Sequence, residues 1–196
     1  MPKYTQQQKE IYSVKISIKR MKPPIWRRVH LWSDTTLRQL HMIIQGTMRW
    51  ENHHLHKFDF TGNVKFEDFM HLGGLETALA YGNAMEAQKY DEKTTRLNQV
   101  APPGTTFAYV YDFGDNWDIV IQVEKVVGQL HVGIKLPICV AGRRASPREG
   151  GIGIRGYEYM PSEDEEDENE VARREEIDPA KFDRQEIDAA LCRLQT

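Results

Sequence analysis

The sequence predicts a single α+β domain: a mixed or antiparallel sheet with a β-hairpin and packing helices. Three observations indicate this class. Apolar residues alternate at 11–19 and 54–60, as in half-buried strands. Two further alternating runs within 106–127 flank a short turn, which is typical of a hairpin, and residues 35–48 have the apolar period of a helix. The 196 residues are enough for one buried core and short for two full domains.

In the first third of the chain, the strand at 11–19 has one apolar face formed by Tyr12, Val14, Ile16 and Ile18. Pro23 and Pro24 interrupt strand pairing because proline has no N–H, and a strand can resume from Ile25 to Leu31. The polar run 33–36 supplies N-cap side chains for the helix at 35–48. Alternation in the strand at 54–60 gives one face that carries His54, His56, Phe58 and Phe60.

The remaining elements are less regular. Residues 61–63 are predicted to form a turn, a helix is compatible with residues 75–90, and a short turn or helix with residues 92–98. The hairpin follows, with its turn at 113–116. Residues 137–160 are rich in glycine and are predicted to form a long ordered loop, and Asp178-Pro179 is predicted to begin a final helix.

Charge and pattern divide the chain into four parts. We predict a flexible leader at 1–10, the α+β core domain at 11–160, an acidic mobile segment at 161–177, and at 178–196 a C-terminal helix that packs on the core. Within the acidic part, residues 163–176 carry nine acids and two arginines, a charge of −7. Because the whole chain has a net charge of −3, the rest carries −3 − (−7) = +4.

The composition indicates a cytoplasmic protein. No apolar run approaches the roughly 20 residues of a membrane helix, and the first ten residues are polar, unlike a signal peptide. Cys139 and Cys192 are the only cysteines, so a disulfide framework is not expected and a four-cysteine zinc site is excluded. We therefore predict no membrane association.

Several motifs occur in a characteristic order along nearly the whole chain. They are PPIWRR (23–28), TLRQLHMIIQGTMRW (36–50), HLHKFDF (54–60), YVYDFGDNWDI (109–119), a Gly/Pro/Arg loop that ends at Gly156-Tyr157, and FDRQEIDAAL (182–191). Together they resemble the plasmid pRiA-type ORF-three-like family, whose members occur in bacteria, in archaea and on mobile elements. The resemblance implies an α+β fold and supplies no settled activity.

The sequence departs from that family's pattern at three positions. A histidine is usual two residues after the tryptophan of Y-D-F-G-D-x-W, where this chain has Ile119. A cysteine and an acidic pair are usual in the loop before the final Gly-Tyr, where this chain has Ser146 and Glu149-Gly150. If the usual residues form a metal or catalytic site, this chain lacks part of it, which argues against an enzyme.

The segment from Tyr111 to Asp118 contains more candidate functional side chains than any other motif. Its carboxylates at Asp112, Asp115 and Asp118 can bind a divalent metal or share a proton, and Tyr111 and Trp117 flank them as candidate binding residues. The alternative, which we favour, is that Asp112 and Asp115 accept hydrogen bonds from turn amides.

The first motif suggests an anion-binding surface. Trp26 can stack on a base, and Arg27 and Arg28 can contact phosphate or carboxylate groups, with Arg143 as a further cation. The alternative is that Trp26 lies in the core and that an arginine pairs with Asp112 or Asp115.

The other motifs give weaker support for a metal site, a cofactor site or a catalytic nucleophile. His54 and His56 can share a strand face, but no third ligand has zinc spacing, so packed histidines beside Phe58 and Phe60 are favoured and no metal is predicted. The G-x-G at 151–153 does not open a helix, and neither cysteine has a histidine partner, so we expect no cofactor and no nucleophilic catalysis.

Three functions remain open. The first is a non-catalytic binding module for nucleic acid, in which the acidic segment competes for the basic face. The second is a metal-assisted hydrolase or phosphoryl-transfer enzyme built on Asp112, Asp115 and nearby histidines. The third is a protein-interaction module of a mobile-element complex, with the acidic segment and the helix at 178–194 as its contact surface.

Overall fold

The computed structural model describes residues 9–60, 64–67, 91–129, 135–149 and 180–194. Within these ranges the chain forms seven strands and three helices. The strands are β1 (Glu10–Ile18), β2 (Trp26–Trp32), β3 (His56–Phe60), β4 (Val64–Glu67), β5 (Thr106–Tyr111), β6 (Trp117–Gln129) and β7 (Ile138–Arg143). The helices are α1 (Leu37–Met48), α2 (Leu97–Val100) and α3 (Arg184–Cys192).

The strands form one sheet in the order β4-β3-β5-β6-β1-β2-β7, and every described pairing is antiparallel. The predicted α+β class and the β5–β6 hairpin are therefore confirmed. We call the face that packs against α1 and α3 the inner face, and the opposite one the outer face. The inner face carries the buried aromatic and aliphatic core, to which α1 adds Leu40 and Ile44, and α3 adds Ile187 and Leu191.

Local sequence explains why α1 begins where it does. The Thr36 hydroxyl accepts a hydrogen bond from the Gln39 N–H, and the Gln39 side chain accepts one from the Thr36 N–H, which is a capping box. The helix ends after Met48, where Arg49 adopts a left-handed conformation with φ of 59°. The predicted helix was therefore correct, and it starts two residues later than the pattern indicated.

The predicted long loop at 137–160 was wrong in its first part, because Ile138–Arg143 forms strand β7 on β2. Only a short stretch alternates, it contains Gly142, and a bulge opposite Arg28/Val29 breaks its period. The strand is stabilised by long-range pairing that local pattern does not encode. The rest of the predicted loop, from residue 150 to residue 160, lies outside the described residues.

The C-terminal helix begins at Arg184 rather than near Asp178. The Asp183 carboxylate is its N-cap and accepts hydrogen bonds from the N–H groups of Gln185 and Glu186. The helix packs on β7 and α1 and buries Ile187 and Leu191. Because the apolar side of this helix packs against the core, it is not available to a partner protein, as the protein-interaction hypothesis would require.

Other predictions fall partly outside the described residues. The acidic segment, the turn at 61–63, the helix at 75–90 and residues 1–8 of the leader are not among them. Glu10, assigned to the leader, is the first residue of β1. Both cysteines are free, with Cys139 buried and Cys192 exposed. In the described part of the chain, no helix combines the length and apolarity needed to cross a membrane.

Gly142 is required by close packing between β7 and the segment that precedes α3. A Cβ atom at this position would overlap the ring of Phe182, with the ring Cζ 2.7 Å away. We expect Gly142→Ala to lower the free energy of unfolding by about 1–3 kcal/mol in urea denaturation, because the ring must move. The strand glycine Gly128 is a matched control, since its nearest neighbour, the Ile11 Cδ1 atom, would lie 4.0 Å from an added Cβ.

In a Phe182→Ala background, Gly142→Ala should cost much less, because the overlapping ring is gone. Equal costs for Gly142→Ala in the two backgrounds, or equal costs for Gly142→Ala and Gly128→Ala, would contradict the packing argument.

Candidate functional site

Strand alternation places the two neighbouring arginines of the first motif on opposite faces of the sheet. Arg27 points to the inner face and is 2% exposed, whereas Arg28 is half-buried on the outer face. In the antiparallel register Trp26 lies opposite Arg143, and Arg28 lies opposite both Lys15 and Ala141. The sequence suggested one surface with Trp26 and both arginines, and the structure leaves only Trp26, Arg28 and Arg143 on a common face.

Arg27 is a buried structural residue. Its Nε donates to the Thr47 carbonyl (3.3 Å), its Nη1 donates to the carbonyls of Trp26 (2.8 Å) and Arg143 (3.0 Å), and its Nη2 donates to the Ser146 hydroxyl (2.8 Å). Its guanidinium also lies 5.2 Å from the centroid of the Phe182 ring. Two parts of the sequence-based alternative were therefore wrong. Trp26 is not in the core, and the buried arginine bonds to carbonyls and a hydroxyl rather than to Asp112 or Asp115.

The loop at 144–149 is attached to the region after α1 by further hydrogen bonds. The Trp50 indole N–H donates to the Pro147 carbonyl (3.0 Å), and the Glu149 carboxylate accepts from the N–H groups of Glu51 and His53 and from the Tyr111 hydroxyl. Burial alone would raise the pKa of Glu149, but these hydrogen bonds and nearby His54 lower it. The two loops thus form fixed walls of a groove of about 750 Å³.

The Y-D-F-G-D-x-W segment is mainly structural. Tyr111 and Trp117 are buried, and their ring centroids lie 5.0 Å and 5.6 Å from that of Trp50. The Asp112 Oδ1 accepts hydrogen bonds from the N–H groups of Gly114 (2.9 Å) and Asp115 (3.3 Å), and Asp112 has φ of 53°. These contacts support the turn interpretation of Asp112. Burial, followed by the charge of Asp112, raises the pKa of Asp115.

One histidine of the sequence-predicted pair faces carboxylates. The His54 Nε2 lies 3.5 Å from the Asp112 Oδ2 and 3.8 Å from the Glu149 Oε1, and the side chain is 38% exposed at the groove. His56, expected on the same face, is instead buried in the core. No group of three or more histidine, cysteine or acidic side chains with metal-binding geometry occurs in the part of the chain that the structure describes.

A buried polar cluster surrounds His56. Its ring stacks on His41 with centroids 3.6 Å apart, and its Nε2 lies 3.1 Å from the Glu92 Oε2. The His41 Nε2 lies 2.7 Å from the side-chain amide oxygen Oδ1 of Asn52, and the His41 Nδ1 lies 2.8 Å from the Tyr109 hydroxyl. Because the amide oxygen can only accept, neutral His41 carries its proton on Nε2 and accepts from Tyr109. The packed-histidine interpretation is thus correct for His56 and wrong for His54, which is partly exposed at the groove. Glu92 was missed, since nothing in its local sequence marks it as buried.

The outer face carries an aromatic side chain among cations. The Lys15 Nζ lies 5.4 Å and the Arg28 Cζ 5.2 Å from the centroid of the Trp26 indole. Exposed Arg143 occupies the neighbouring position on β7. Glu124 is the acid in this group, and it accepts from the Arg28 Nε and Nη2, both at 2.7 Å. We call Lys15, Trp26, Arg28 and Arg143 the outer-face cluster.

Seven antiparallel strands, with helices on the inner face and the outer-face cluster on the other, define a single-domain α+β protein with a cationic and aromatic sheet surface. The chain belongs to the family of plasmid pRiA4b ORF-3-like proteins, which matches it over residues 10–190. The expected family is therefore confirmed.

The chain is similar to two further proteins. The chain is 28% identical over 149 residues to "Uncharacterized protein y4hQ" of Sinorhizobium fredii (strain NBRC 101917 / NGR234), covering 76% of this chain and 70% of the relative. It is also similar to the crystal structure of MM3350 from Methanosarcina mazei Go1, a protein of unknown function, with a TM-score of 0.75 and 31% identity. That match covers 91% of this chain and 98% of MM3350.

The buried Glu92 should make stability depend on pH. Burial raises its pKa from 4.5 to about 7, with Arg38 opposing and Asp91 adding to the shift. A carboxyl whose pKa is raised on folding stabilises the protein below its unfolded pKa, and this contribution is lost as pH rises through the folded pKa. Between pH 4.5 and 7, Glu92 should therefore lower the free energy of unfolding by up to about 1.4 kcal/mol per pH unit.

We expect Glu92→Gln to remove this slope, measured by urea denaturation at several pH values. Glu51→Gln is the control, because the side chain of Glu51 is 73% exposed, and it should keep the wild-type slope. The same slope in wild type and Glu92→Gln would contradict the assignment.

Proposed function

We propose that this protein is a non-catalytic, cytoplasmic binding module that takes single-stranded nucleic acid on the outer face of its sheet. The observation that supports the proposal is the outer-face cluster, in which an indole lies beside two cations and next to a third. Stacking on an aromatic ring and contact with cations are the two interactions by which proteins hold unpaired nucleotides.

The shape of the surface favours single strands over duplexes. Trp26 and its cations lie on a sheet, where cross-strand neighbours are side by side rather than on a protruding helix that can enter a major groove. Bases of a single strand can be splayed onto such a surface, with phosphates turned toward the flanking cations.

The charge of the cluster is favourable but modest. Lys15, Arg28 and Arg143 contribute three positive charges, and Glu124 offsets that of Arg28 through a two-point hydrogen bond. Only a few phosphates can be neutralised, so we expect weak binding that depends on salt and does not discriminate strongly between sequences. Competition from the acidic segment for the same cations would weaken the binding of nucleic acid further.

The test is a fluorescence-anisotropy titration with labelled dT and rU twelve-mers and a duplex of equal length, at low and physiological salt. Trp26→Ala should weaken single-strand binding by about tenfold through lost stacking, with little change in salt dependence. Arg143→Gln should weaken binding and reduce the slope of log K against log salt by about 0.7, the value for one phosphate contact.

Arg49→Gln is the matched control, since Arg49 is an exposed cation (62%) at the groove rather than on the outer face. It should leave binding unchanged. The proposal fails if no strand binds at low salt, where electrostatic attraction is greatest, or if Arg49→Gln weakens binding as much as Arg143→Gln does.

A second candidate function is a hydrolase or phosphoryl-transfer enzyme, metal-assisted or not, at the groove. The observation that favours it is His54, partly exposed and close to the carboxylates of Asp112 and Glu149, an arrangement in which an imidazole can act as a general base.

Hydrolysis of 4-nitrophenyl phosphate and bis(4-nitrophenyl) phosphate, with and without Mg²⁺, Mn²⁺ and Zn²⁺, tests this candidate. His54→Ala should reduce turnover by about a hundredfold or more, and His53→Ala, which changes an exposed neighbour, should not. Absence of turnover with every metal, or equal losses in the two variants, would exclude His54 as the base.

A further inference from the structure

The aromatic and basic character of the outer-face cluster continues along strand β2 beyond Arg28. Side chains alternate along this strand, so every second residue faces outward, and the residues between them are buried on the inner face. The outward residues are all half-buried, which leaves part of each side chain open to a ligand. We call them the β2 row: Trp26, Arg28, His30 and Trp32.

His30 is connected to the outer-face cluster by the groups around it. It lies opposite Ser13 of β1 and opposite Ile138 of β7, neither of which is charged. The Ser13 hydroxyl donates to the Glu124 Oε2 (2.8 Å), and the same oxygen accepts from the Arg28 Nε. His30 thus lies beside the carboxylate that holds Arg28 in place.

The protonation of His30 depends on its surroundings. Burial lowers the pKa of His30, and the positive charge of Arg28 lowers it further, while Glu124 on β6 raises it and Lys125 on β6 lowers it. The further cation on β1 is Lys15, opposite Arg28. His30 is therefore neutral at neutral pH, and it gains a positive charge when the pH falls or when an anionic group approaches.

The neighbouring strands on the side of the hairpin offer a nucleic acid less than β2 does. Where β5 and β6 pair, none of their outward residues is aromatic or cationic. They are Thr106, Ala108 and Val110 on β5 and Asp118, Val120 and Gln122 on β6. A single strand that crossed the sheet toward β5 would lose both rings and cations, whereas one that follows β2 continues to meet them.

The spacing of the β2 row is compatible with an unstacked single strand. Alternate residues of a β-strand lie about 6.6 Å apart, which is about twice the 3.4 Å per phosphate along a stacked strand. Bases bound at this spacing are separated from one another, so each can stack on a protein ring or leave its phosphate beside a cation. The row spans about 20 Å, which corresponds to a footprint of about four nucleotides.

We propose that the single strand runs along β2, with bases on the indoles of Trp26 and Trp32 and with phosphates at Arg28 and His30. This course of the strand rests on the proposed function and specifies how the same face is used. Protonated His30 binds a phosphate because the imidazolium is charged and donates from both ring nitrogens. A strand that instead crossed the outer-face cluster from Arg143 to Lys15 would contact neither His30 nor Trp32.

The experiment measures the binding of labelled dT oligomers of two, four and eight nucleotides by fluorescence anisotropy at low salt, at about pH 7.5 and about pH 5.5. Affinity should rise steeply from the dimer to the tetramer and little further. Acidification should strengthen tetramer binding about threefold or more, because a hydrogen bond to a charged group is gained, and His30→Gln should remove most of that increase. Trp32→Ala should weaken tetramer binding about fivefold or more through lost stacking.

His53→Gln is the matched control, because His53 is an exposed histidine (66%) at the groove, and it should keep the pH dependence of the wild type. Since replacing half-buried Trp32 can disturb β2, a second measurement uses the wild-type chain. A single 5-iodouracil is placed at one end or the other of the tetramer, and the photo-cross-linked residue is identified by mass spectrometry. One end should cross-link to Trp26 and the other to Trp32.

The proposed course is overturned if both ends cross-link to Trp26 alone, or if acidification strengthens binding equally in His30→Gln and His53→Gln. The proposed function would survive these results, provided that Trp26→Ala and Arg143→Gln still weaken binding. Absence of binding by every oligomer at low salt would overturn both.

Discussion

The buried guanidinium of Arg27 joins strands β2 and β7, helix α1 and the loop at 144–149. It bonds to backbone carbonyls of β2, of α1 at Thr47, and of β7 at Arg143, and to the hydroxyl of Ser146. A buried cation is costly unless it is fully hydrogen-bonded, so the groups that accept from it are held where they are. The position of β7, the course of the 144–149 loop and the packing of Phe182 all depend on this arrangement.

The residues that stabilise the fold differ from those that we propose to bind a partner. Side chains that would be the obvious ligands of an anion or metal, such as Arg27, Asp112 and Glu149, already bond to the protein's own amides, carbonyls and hydroxyls. We propose a partner only for the outer face around Trp26, where Lys15, Arg28 and Arg143 lie near the carboxylate of Glu124. Ser146 and Glu149 anchor the loop at 144–149, the first through the Arg27 guanidinium and the second through the N–H groups of Glu51 and His53.

Much of the fold could be predicted because its signals are local. The alternation of Tyr12 to Ile18, the capping residues before α1 and the turn between β5 and β6 each depend on neighbours in sequence. Strand β7 and the start of α3 could not be predicted as reliably, since one is stabilised by pairing with a distant strand and the other depends on which of two aspartates caps the helix.

For the candidate sites, the sequence by itself determined which residue types were available: Trp26 with two arginines, the carboxylates of the hairpin turn, and paired histidines. Only the tertiary structure decided which of them face outward. The alternation of strand β2 placed Arg27 and Arg28 on opposite faces of the sheet. Long-range contacts buried His56 beside Glu92. His54 lies close to Glu149, which is 95 residues further along the chain. The physical reason is that burial and pairing depend on surfaces brought together from distant segments, which no local pattern records.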